Sequence, residues 1–408
     1  MEEETLEQLE RLAERDPADR RALERLDAAC RARGWTLFDR SVDDWVADLR
    51  RKRPSRWGAD DPERILGGAG IRATWRLIQA FWSDPEARRR AARLLGGAGD
   101  GTAGFQELLR GLEAPDPSIR AAAAEGLGQC RAEAAVPRLL ARLDDEDRKV
   151  RSRAIGALGR LGSEALAAVP ALIGLLADER LGVAAAFSLG TIGGEAPAVV
   201  DELIEAAGLG LPGARAWAVA ALGLAGDERT IPVLLEALGS YDQDVRRQAA
   251  QALREIGTDD ESVRGALRDA LDDWAPSVRT QAAVTLAGLG ERSSSLCSAL
   301  AEAIEEGVAG WSVREALDEM GAEAAAVVPA LLAAVERGRG MDRVHAIPSL
   351  VEVASEAVAL PVVLRFLEDP NPAVRSAAAH AVGRFDRVPE AAIAALVRAL
   401  EDPDTRVE

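Results

Sequence analysis

The sequence predicts an all-α solenoid of stacked helix pairs, preceded by an N-terminal helical cap. Two observations carry this prediction. A unit of two amphipathic helices recurs every 31 to 33 residues over most of the chain, and equivalent positions in the units hold the same kind of side chain. One such pair cannot bury its apolar face alone, so recurrence at a fixed period indicates a stack of pairs that cover one another.

The clearest unit is Glu146–Asp178, in which we take Arg151 as the reference position. We number the helices that carry the reference as repeats 1 to 10, with an incomplete eleventh. The reference positions are Arg88, Arg120, Arg151, Gly182, Arg215, Arg246, Arg279, Gly310, Arg343, Arg375 and Arg406. Seven positions later every full repeat has an aliphatic residue, which predicts one continuous apolar column: Leu95, Leu127, Leu158, Leu189, Leu222, Leu253, Leu286, Leu317, Leu350 and Val382.

An acidic or amide residue stands four positions before the reference in seven repeats. Such side chains accept hydrogen bonds from the unpaired N–H groups that begin a helix, so we expect helix N-caps there. Recurrence beside the arginine column also predicts an intramolecular ladder between neighbouring repeats. The predicted caps are Asp84, Asp116, Asp147, Asp178, Asp242, Asn371 and Asp402.

The repeated Val-Arg, Ala-Ala and Leu-Gly pairs, with a following Val-Pro-x-Leu-Leu helix, carry a family resemblance. They resemble the short HEAT-like repeats of the bilin (phycobiliprotein) lyase type, within the HEAT-repeat family. The resemblance implies helical hairpin repeats in a right-handed superhelix, with the reference helix of each pair lining the concave side. We expect a Trp-rich helical cap region at 1–71 and the repeat array at 72–408.

The N-terminal region differs in character from the array. We expect two short polar helices before residue 35 and a third that opens at Ser41. Large aromatic residues would cover the first helix pair of a stack. A separate Trp-rich docking module remains an alternative. Five of the eight tryptophans fall at this end of the chain: Trp35, Trp45, Trp57, Trp75 and Trp82.

The net charge of −18 argues against general nucleic-acid binding. Its distribution is uneven, since residues 35–93 hold 9 acidic and 13 basic residues. The balance predicts a partner with a basic surface for the array, or an acidic partner for the N-terminal segment.

The cysteines, the N-terminus and the apolar runs bear on the compartment. Cys30, Cys130 and Cys297 show no metal or redox spacing, which favours reduced thiols and a cytoplasmic protein. The acidic N-terminus is not typical of a signal peptide, and the longest apolar run, Ala324–Val335, is too short to span a bilayer. We therefore expect no membrane partner.

The candidate binding residues lie on the side of the reference helices that faces away from the core. Counted at about 100° per residue, positions two, five and nine after the reference point there. Aromatic and arginine side chains on such a face are typical of protein-binding hot spots, although packing against an adjoining helix would place them equally well. The predicted protein-binding residues are Arg153, Arg160, Phe187, Trp217, Gln248, Gln281, Trp311 and His345.

Catalysis finds little support in the sequence, so we predict no catalytic residue, metal or cofactor. His345 and His380 are the only histidines. They could hold a metal only with Glu319 or Glu352. The HEAT-like deoxyhypusine hydroxylase holds iron with repeated His-Glu pairs, whereas both histidines here are followed by Ala.

These observations favour a protein-binding scaffold or adaptor that uses the concave face. One alternative is an auxiliary or catalytic subunit of a bilin-lyase-like or other modifying enzyme. A further alternative is phosphate-backbone binding through the basic segments Arg50–Arg56 and Arg88–Arg93.

Overall fold

The computed structural model describes residues 77–208, 212–306, 310–338 and 341–385, together with 36–37, 40–41, 74, 393, 396–398, 402 and 404. These residues form two compact units, Met1–Gly226 and Asp227–Glu408. Apart from one short strand pair, the regular structure in them is helical. The all-α prediction is therefore confirmed for the array.

In the first unit, residues 77–83 are helical and precede nine α-helices. These are α1 (Arg88–Gly97), α2 (Ala103–Gly111), α3 (Pro117–Leu127), α4 (Val136–Leu140), α5 (Arg148–Leu161), α6 (Val169–Gly174), α7 (Gly182–Glu195), α8 (Ala198–Gly208) and α9 (Pro212–Ala225). Short 3-10 helices lie at Glu133–Ala135, Gly162–Ala168 and Leu175–Ala177.

In the second unit the same alternation continues. Its helices are α10 (Ile231–Leu238), α11 (Gln243–Ile256), α12 (Glu261–Asp269), α13 (Pro276–Gly288), α14 (Ser294–Glu305), α15 (Trp311–Met320), α16 (Val328–Arg337), α17 (Met341–Val353), α18 (Glu356–Phe366) and α19 (Pro372–Val382). The 3-10 helices are Glu228–Thr230, Ala270–Asp272 and Gly321–Val327. The odd-numbered helices are those of repeats 1 to 10, and within each unit consecutive odd-numbered helices pack side by side.

Near the N-terminus, β1 (Thr36–Leu37) pairs antiparallel with β2 (Arg40–Ser41). Ser41 therefore ends a strand, and the helix predicted to open there lies outside the described residues, as do the two helices predicted before residue 35. Trp82 is described: its ring meets Phe81 edge-on at 5.2 Å, and its Nε1 donates to Glu107 Oε2 at 2.8 Å.

The apolar column predicted from the repeat spacing forms the core. Its ten members, from Leu95 to Val382, are each at most 1% exposed. Small residues bring the helices close together around this column. A methyl group on Gly96 would lie 1.8 Å from the carbonyl oxygen of Gly126, so α1 and α3 touch backbone to backbone and tolerate no side chain at this point.

The predicted N-caps are confirmed where helices begin. Each carboxylate or amide oxygen accepts from the backbone N–H two residues later, as expected for a capping side chain. This holds for Asp116, Asp147, Asp242 and Asn371. Asp84 and Asp178 make the equivalent bonds one turn before α1 and α7.

The predicted arginine ladder is present, but its usual partner is not the capping residue. Arg120 binds Asp145 through two parallel bonds of 2.8 Å, and Asp145 stands six positions before the next reference rather than four. Arg246 binds Asp273 in the same way, at 2.6 and 2.8 Å. Asp145 and Asp273 also accept from the backbone N–H two residues later, so each ladder aspartate fixes its own turn as well as the guanidinium.

Each of these arginines also donates hydrogen bonds to the loop that precedes its own helix. Arg120 Nη1 donates to the carbonyl oxygens of Ala114 and Pro115, both at 2.9 Å, and Arg246 repeats this with Ser240 and Tyr241. One side chain thus joins the loop before its own helix to the carboxylate of the next repeat. A two-bond guanidinium–carboxylate pair is among the stronger hydrogen-bonded pairs in proteins.

Asp402, the cap predicted for the eleventh repeat, also takes part in the ladder. Arg375 binds Asp402 at 2.7 and 2.8 Å, and Asp402 accepts from the N–H of Asp404. Asp369, the partner of Arg343, makes the same turn with Asn371. Asp402 is therefore the ladder carboxylate for Arg375, and the helix that it was predicted to cap lies outside the described residues.

The stretch Arg148–Ala177 is the one among the described residues that is long and apolar enough to cross a membrane by length and composition. It is not one straight helix. Gly162 adopts φ +59°, a left-handed value that suits glycine, and Ala165 is also non-helical. The chain thus turns between α5 and α6, which pack as two elements of the core.

Candidate protein-binding surface

The predicted binding face is only partly accessible. Gln248 is 5% exposed and Val284 is fully buried, so the prediction that these positions face solvent is wrong there. The cause is the close approach of neighbouring odd-numbered helices, which covers the flanks of each helix as well as its inner side.

In the first unit, four apolar side chains share one face of α7 and α9. Val183 and Phe187 lie one turn apart on α7, and Phe187 is 63% exposed. Trp217 and Leu224 lie two turns apart on α9, which packs directly against α7. Leu224 is exposed and Trp217 is half-buried. We call these four residues the aromatic face.

Two glycines on α7 set the position of α9. A methyl group on Gly182 would lie 2.9 Å from Cδ1 of Trp217 and 2.7 Å from the carbonyl oxygen of Leu176. A methyl group on Gly190 would lie 2.4 Å from Cβ of Leu224. Repeat 4 lacks the reference arginine because the indole of the next repeat needs that space. The expectation that Trp217 stands free of the packing is therefore wrong.

Arg153 and Arg160 both contact Glu125 in α3, Arg153 at its carboxylate and Arg160 at its backbone carbonyl. Arg153 Nε lies 3.5 Å from Glu125 Oε2, and Arg160 Nη2 lies 3.5 Å from the Glu125 carbonyl oxygen. Arg89 Nε lies 2.8 Å from both carboxylate oxygens. Glu125 is only 5% exposed. These two predicted residues thus line a charged site between repeats rather than flank the aromatic face alone.

The guanidinium of Arg160 is crowded although much of its side chain is exposed. Its Nε and Nη2 would each lie 2.9 Å from a methyl group on Gly128. Loss of water there lowers its pKa, Glu125 opposes the shift, and the nearby Arg153, Arg89 and Arg93 add to it. Arginine starts from so high a pKa that the group stays charged.

In the second unit, Trp311 is the exposed member of the predicted set, at 63%. The guanidinium of Arg314 lies 4.5 Å from its ring centroid, within the range of a cation–π contact. Gln281 is half-buried, and its amide nitrogen lies 3.5 Å from Thr285 Oγ1. Of the two glutamines in the predicted set, Gln248 is therefore buried by packing and Gln281 is partly covered.

His345 is half-buried in the second unit and lines a cavity of about 20 Å³, room for about one water, with Asp342 and Arg314. The Nδ1 of His380 lies 3.1 Å from the Ser376 carbonyl oxygen of its own helix. Within the described part of the chain, no group of three or more His, Cys, Asp or Glu side chains could hold a metal ion.

Two exposed aromatic residues were not predicted. Tyr241 is fully exposed and Trp274 is 72% exposed, each five positions before its reference arginine. The guanidinium of Arg246 lies 5.0 Å from the Trp274 ring centroid. The recurrence of an aromatic residue at the same position in two consecutive repeats could have indicated them. That position lies in a loop, whereas the binding face was predicted from the periodicity of the helices.

A family profile for HEAT repeats matches the array in seven segments. They are 76–147, 105–184, 136–209, 178–254, 200–287, 231–321 and 328–408. No curated protein matches the chain.

Several solved structures are similar to the chain. Yeast importin-β (Kap95p) is 16% identical with a TM-score of 0.54, over 90% of this chain and 60% of that chain. The CpcE–CpcF complex of phycocyanin lyase from Nostoc is 24% identical with a TM-score of 0.33, over 61% of this chain and 94% of that chain. Human deoxyhypusine hydroxylase is 23% identical with a TM-score of 0.25, over 60% of this chain and 95% of that chain. At 16% identity the likeness to importin-β concerns the fold alone.

Proposed function

The chain belongs to the HEAT-repeat family, and from that premise we propose that it is a protein-binding scaffold that takes a partner on the aromatic face. The observation that carries the proposal is the exposure of Phe187 and Val183 beside Leu224 on the adjoining helix. The apolar column already fills the core, so folding does not require large apolar side chains at these exposed positions.

The arrangement suits a binding hot spot. Trp217 is held against Gly182, so a partner would meet a pre-ordered aromatic surface and lose little side-chain entropy on binding. Phe187 stands beside it as the accessible anchor. The carboxylate and guanidinium groups around Glu125 in repeats 1 to 3 supply charge on the same series of helices.

The test compares Phe187→Ser with Leu166→Ser in affinity capture from the source cells, followed by quantitative mass spectrometry. Leu166 is also a large exposed apolar residue, but it lies in the 3-10 helix Gly162–Ala168 and outside the aromatic face. We expect Phe187→Ser to lose at least one protein that the parent chain and Leu166→Ser both retain. Equal capture by all three chains would refute the assignment of this face.

A further inference from the structure

A second site lies in repeats 1 to 3. An open cavity of about 180 Å³ is lined by Arg88, Arg89, Glu125, Lys149 and Arg153, among others, and we call it the arginine pocket. Its volume far exceeds the roughly 10–15 Å³ that one water needs. The pocket can therefore admit a side chain of another molecule.

Positive charge exceeds negative charge around this cavity. Arg88 is accounted for, since its Nη1 lies 2.5 Å from Ser118 Oγ and 3.5 Å from Asp116 Oδ2. Arg89 and Arg153 pair with the one remaining lining carboxylate, Glu125, and Lys149 adds a further positive charge to the lining.

Two further arginines are incompletely matched as well. Arg93 Nε is buried without a hydrogen-bond partner, 3.9 Å from Glu125 Oε1. Arg160 meets only the carbonyl oxygen of Glu125, and the pKa of its guanidinium is lowered by loss of water and by the neighbouring arginines. A buried donor without an acceptor costs free energy, so Glu125 does not fully match the arginines around it.

The surroundings restrict the kind of anion that fits. The chain as a whole carries a net charge of −18. An extended polyanion would reach beyond the pocket, where the negative charge of the chain would repel it. A short acidic segment can place its carboxylates within the pocket and end before that repulsion begins. Guanidinium groups bind carboxylates with matched geometry, often through two parallel bonds.

We propose that the arginine pocket binds an acidic segment of a protein partner, with an Asp or Glu side chain entering beside Glu125. The inference rests on the proposed protein-binding function and adds a contact of different chemistry, separate from the aromatic face. Glu125 holds the arginines in place and competes with the ligand for them.

The first test measures the anisotropy of a fluorescein-labelled oligoglutamate peptide on the full chain. Lys149→Glu is paired with Arg138→Glu, which makes the same charge change at an exposed ion pair with Glu113 elsewhere in the unit. We expect Lys149→Glu to weaken binding by about tenfold or more and Arg138→Glu by less than about twofold. No binding to the parent chain, or equal losses in the two variants, would overturn the proposal.

The second test uses Glu125→Gln, which removes the competing charge but keeps an oxygen that accepts from Arg89. We expect this variant to bind oligoglutamate more tightly than the parent chain, with circular dichroism confirming that it is folded. Unchanged or weaker binding by the folded variant would show that Glu125 does not compete with the ligand and would count against the site.

Chemical cross-linking locates the peptide directly. Lys149 is one of only two lysines in the chain, the other being Lys52, so a carbodiimide amide to the peptide can be mapped without ambiguity. We expect the peptide on Lys149 at a stoichiometry that excess free oligoglutamate suppresses. Coupling only at Lys52 or at the N-terminal amine would place the site elsewhere.

Two controls separate the possible failures. Phe187→Ser should bind oligoglutamate as the parent chain does, so loss of the aromatic-face partner and loss of the acidic peptide are independent results. Short duplex DNA should not bind at about 0.15 M salt, where screening limits the range of electrostatic interactions to roughly 8 Å. DNA binding that Lys149→Glu abolishes would overturn the assignment to an acidic peptide.

Discussion

Arg254 Nη2 lies 3.0 Å from Glu315 Oε2, although 61 residues and one whole repeat separate the two side chains. Arg254 lies in the last turn of α11, and Glu315 lies on α15. Helix α13 lies between these two helices. The contact is possible because Gly288 ends α13, where a methyl group would lie 3.3 Å from Arg254 Nε. The guanidinium therefore crosses repeat 7 over a residue that has no side chain.

Replacing Arg254 by Met should lower the free energy of unfolding by about 0.5–1 kcal/mol, because the pair is partly exposed and water screens it. The loss should shrink in about 1 M salt, where the screening length is only about 3 Å. Denaturant unfolding at low and high salt measures it. Arg247→Met is the control, since Arg247 lies 3.7 Å from Asp244 on its own helix. An equal loss in the two variants would contradict a special role for the long-range pair.

Asp145→Ala should cost about 3–5 kcal/mol of unfolding free energy, because it leaves the buried Arg120 guanidinium without its carboxylate. Glu113→Ala breaks the exposed pair with Arg138 and should cost less than about 1 kcal/mol. Urea titration followed by circular dichroism compares them. Similar values for both variants would show that the ladder adds little to stability.

Stability should fall in acid because of the same carboxylates. Burial raises the pKa of Asp145 and Asp273, but the hydrogen bonds from Arg120 and Arg246, the backbone N–H bonds and the nearby guanidinium charges together outweigh it and lower each pKa. In the unfolded chain an aspartate has a pKa of about 3.9. The contribution of a lowered pKa is complete above that value and is lost as pH falls through the folded-state value.

Urea midpoints between pH 7 and pH 3 should therefore stay nearly constant at first and then decline below about pH 4. The decline should be shallower in Asp145→Asn, which cannot titrate at that position. A midpoint that rises on acidification, or a variant as steep as the parent chain, would contradict this account.

Gly182→Ala should destabilise the fold by about 1–3 kcal/mol, since the added methyl group meets the backbone of Leu176 as well as Trp217. Gly174→Ala makes the same change at a helical glycine with no atom within 4 Å, and should be neutral or stabilise by up to about 1 kcal/mol. Thermal melts of the two variants decide between these signs.

Trp217→Ala should lower the unfolding free energy by about 2 kcal/mol or more, because its ring fills the space beside Gly182. Phe187→Ala should cost less than about 1 kcal/mol, because its side chain is mostly exposed. Denaturant melts of both variants test this. If Phe187→Ala costs as much as Trp217→Ala, then Phe187 is part of the packing and not a free anchor.

The repeat architecture was predictable because residues at equivalent positions meet the same physical requirement in each repeat. Leu158 and its equivalents must be buried in every pair, and Asp147 must cap a helix, so periodicity alone reveals both. Neither property depends on where the neighbouring repeat lies in space.

The candidate site was less predictable because it depends on contacts between repeats. Trp217 is half-buried because it packs against a glycine 35 positions earlier, and Glu125 contacts arginines from two different helices. Helical periodicity assigns each side chain to a face of its own helix. It does not say how far the next helix covers that face, and this is why Gln248 was predicted to be accessible.

The arginine ladder gives the stack a chemical direction. Arg120 and Arg246 each reach toward the carboxylate of the repeat that follows, so a ladder arginine finds its counter-ion in its C-terminal neighbour. Removing repeats from the N-terminal end and from the C-terminal end should then differ in their effect on stability. Loss of an early repeat leaves behind an aspartate that water can solvate, whereas loss of Asp402 leaves Arg375, with a side chain only 16% exposed, as a cation without its counter-ion.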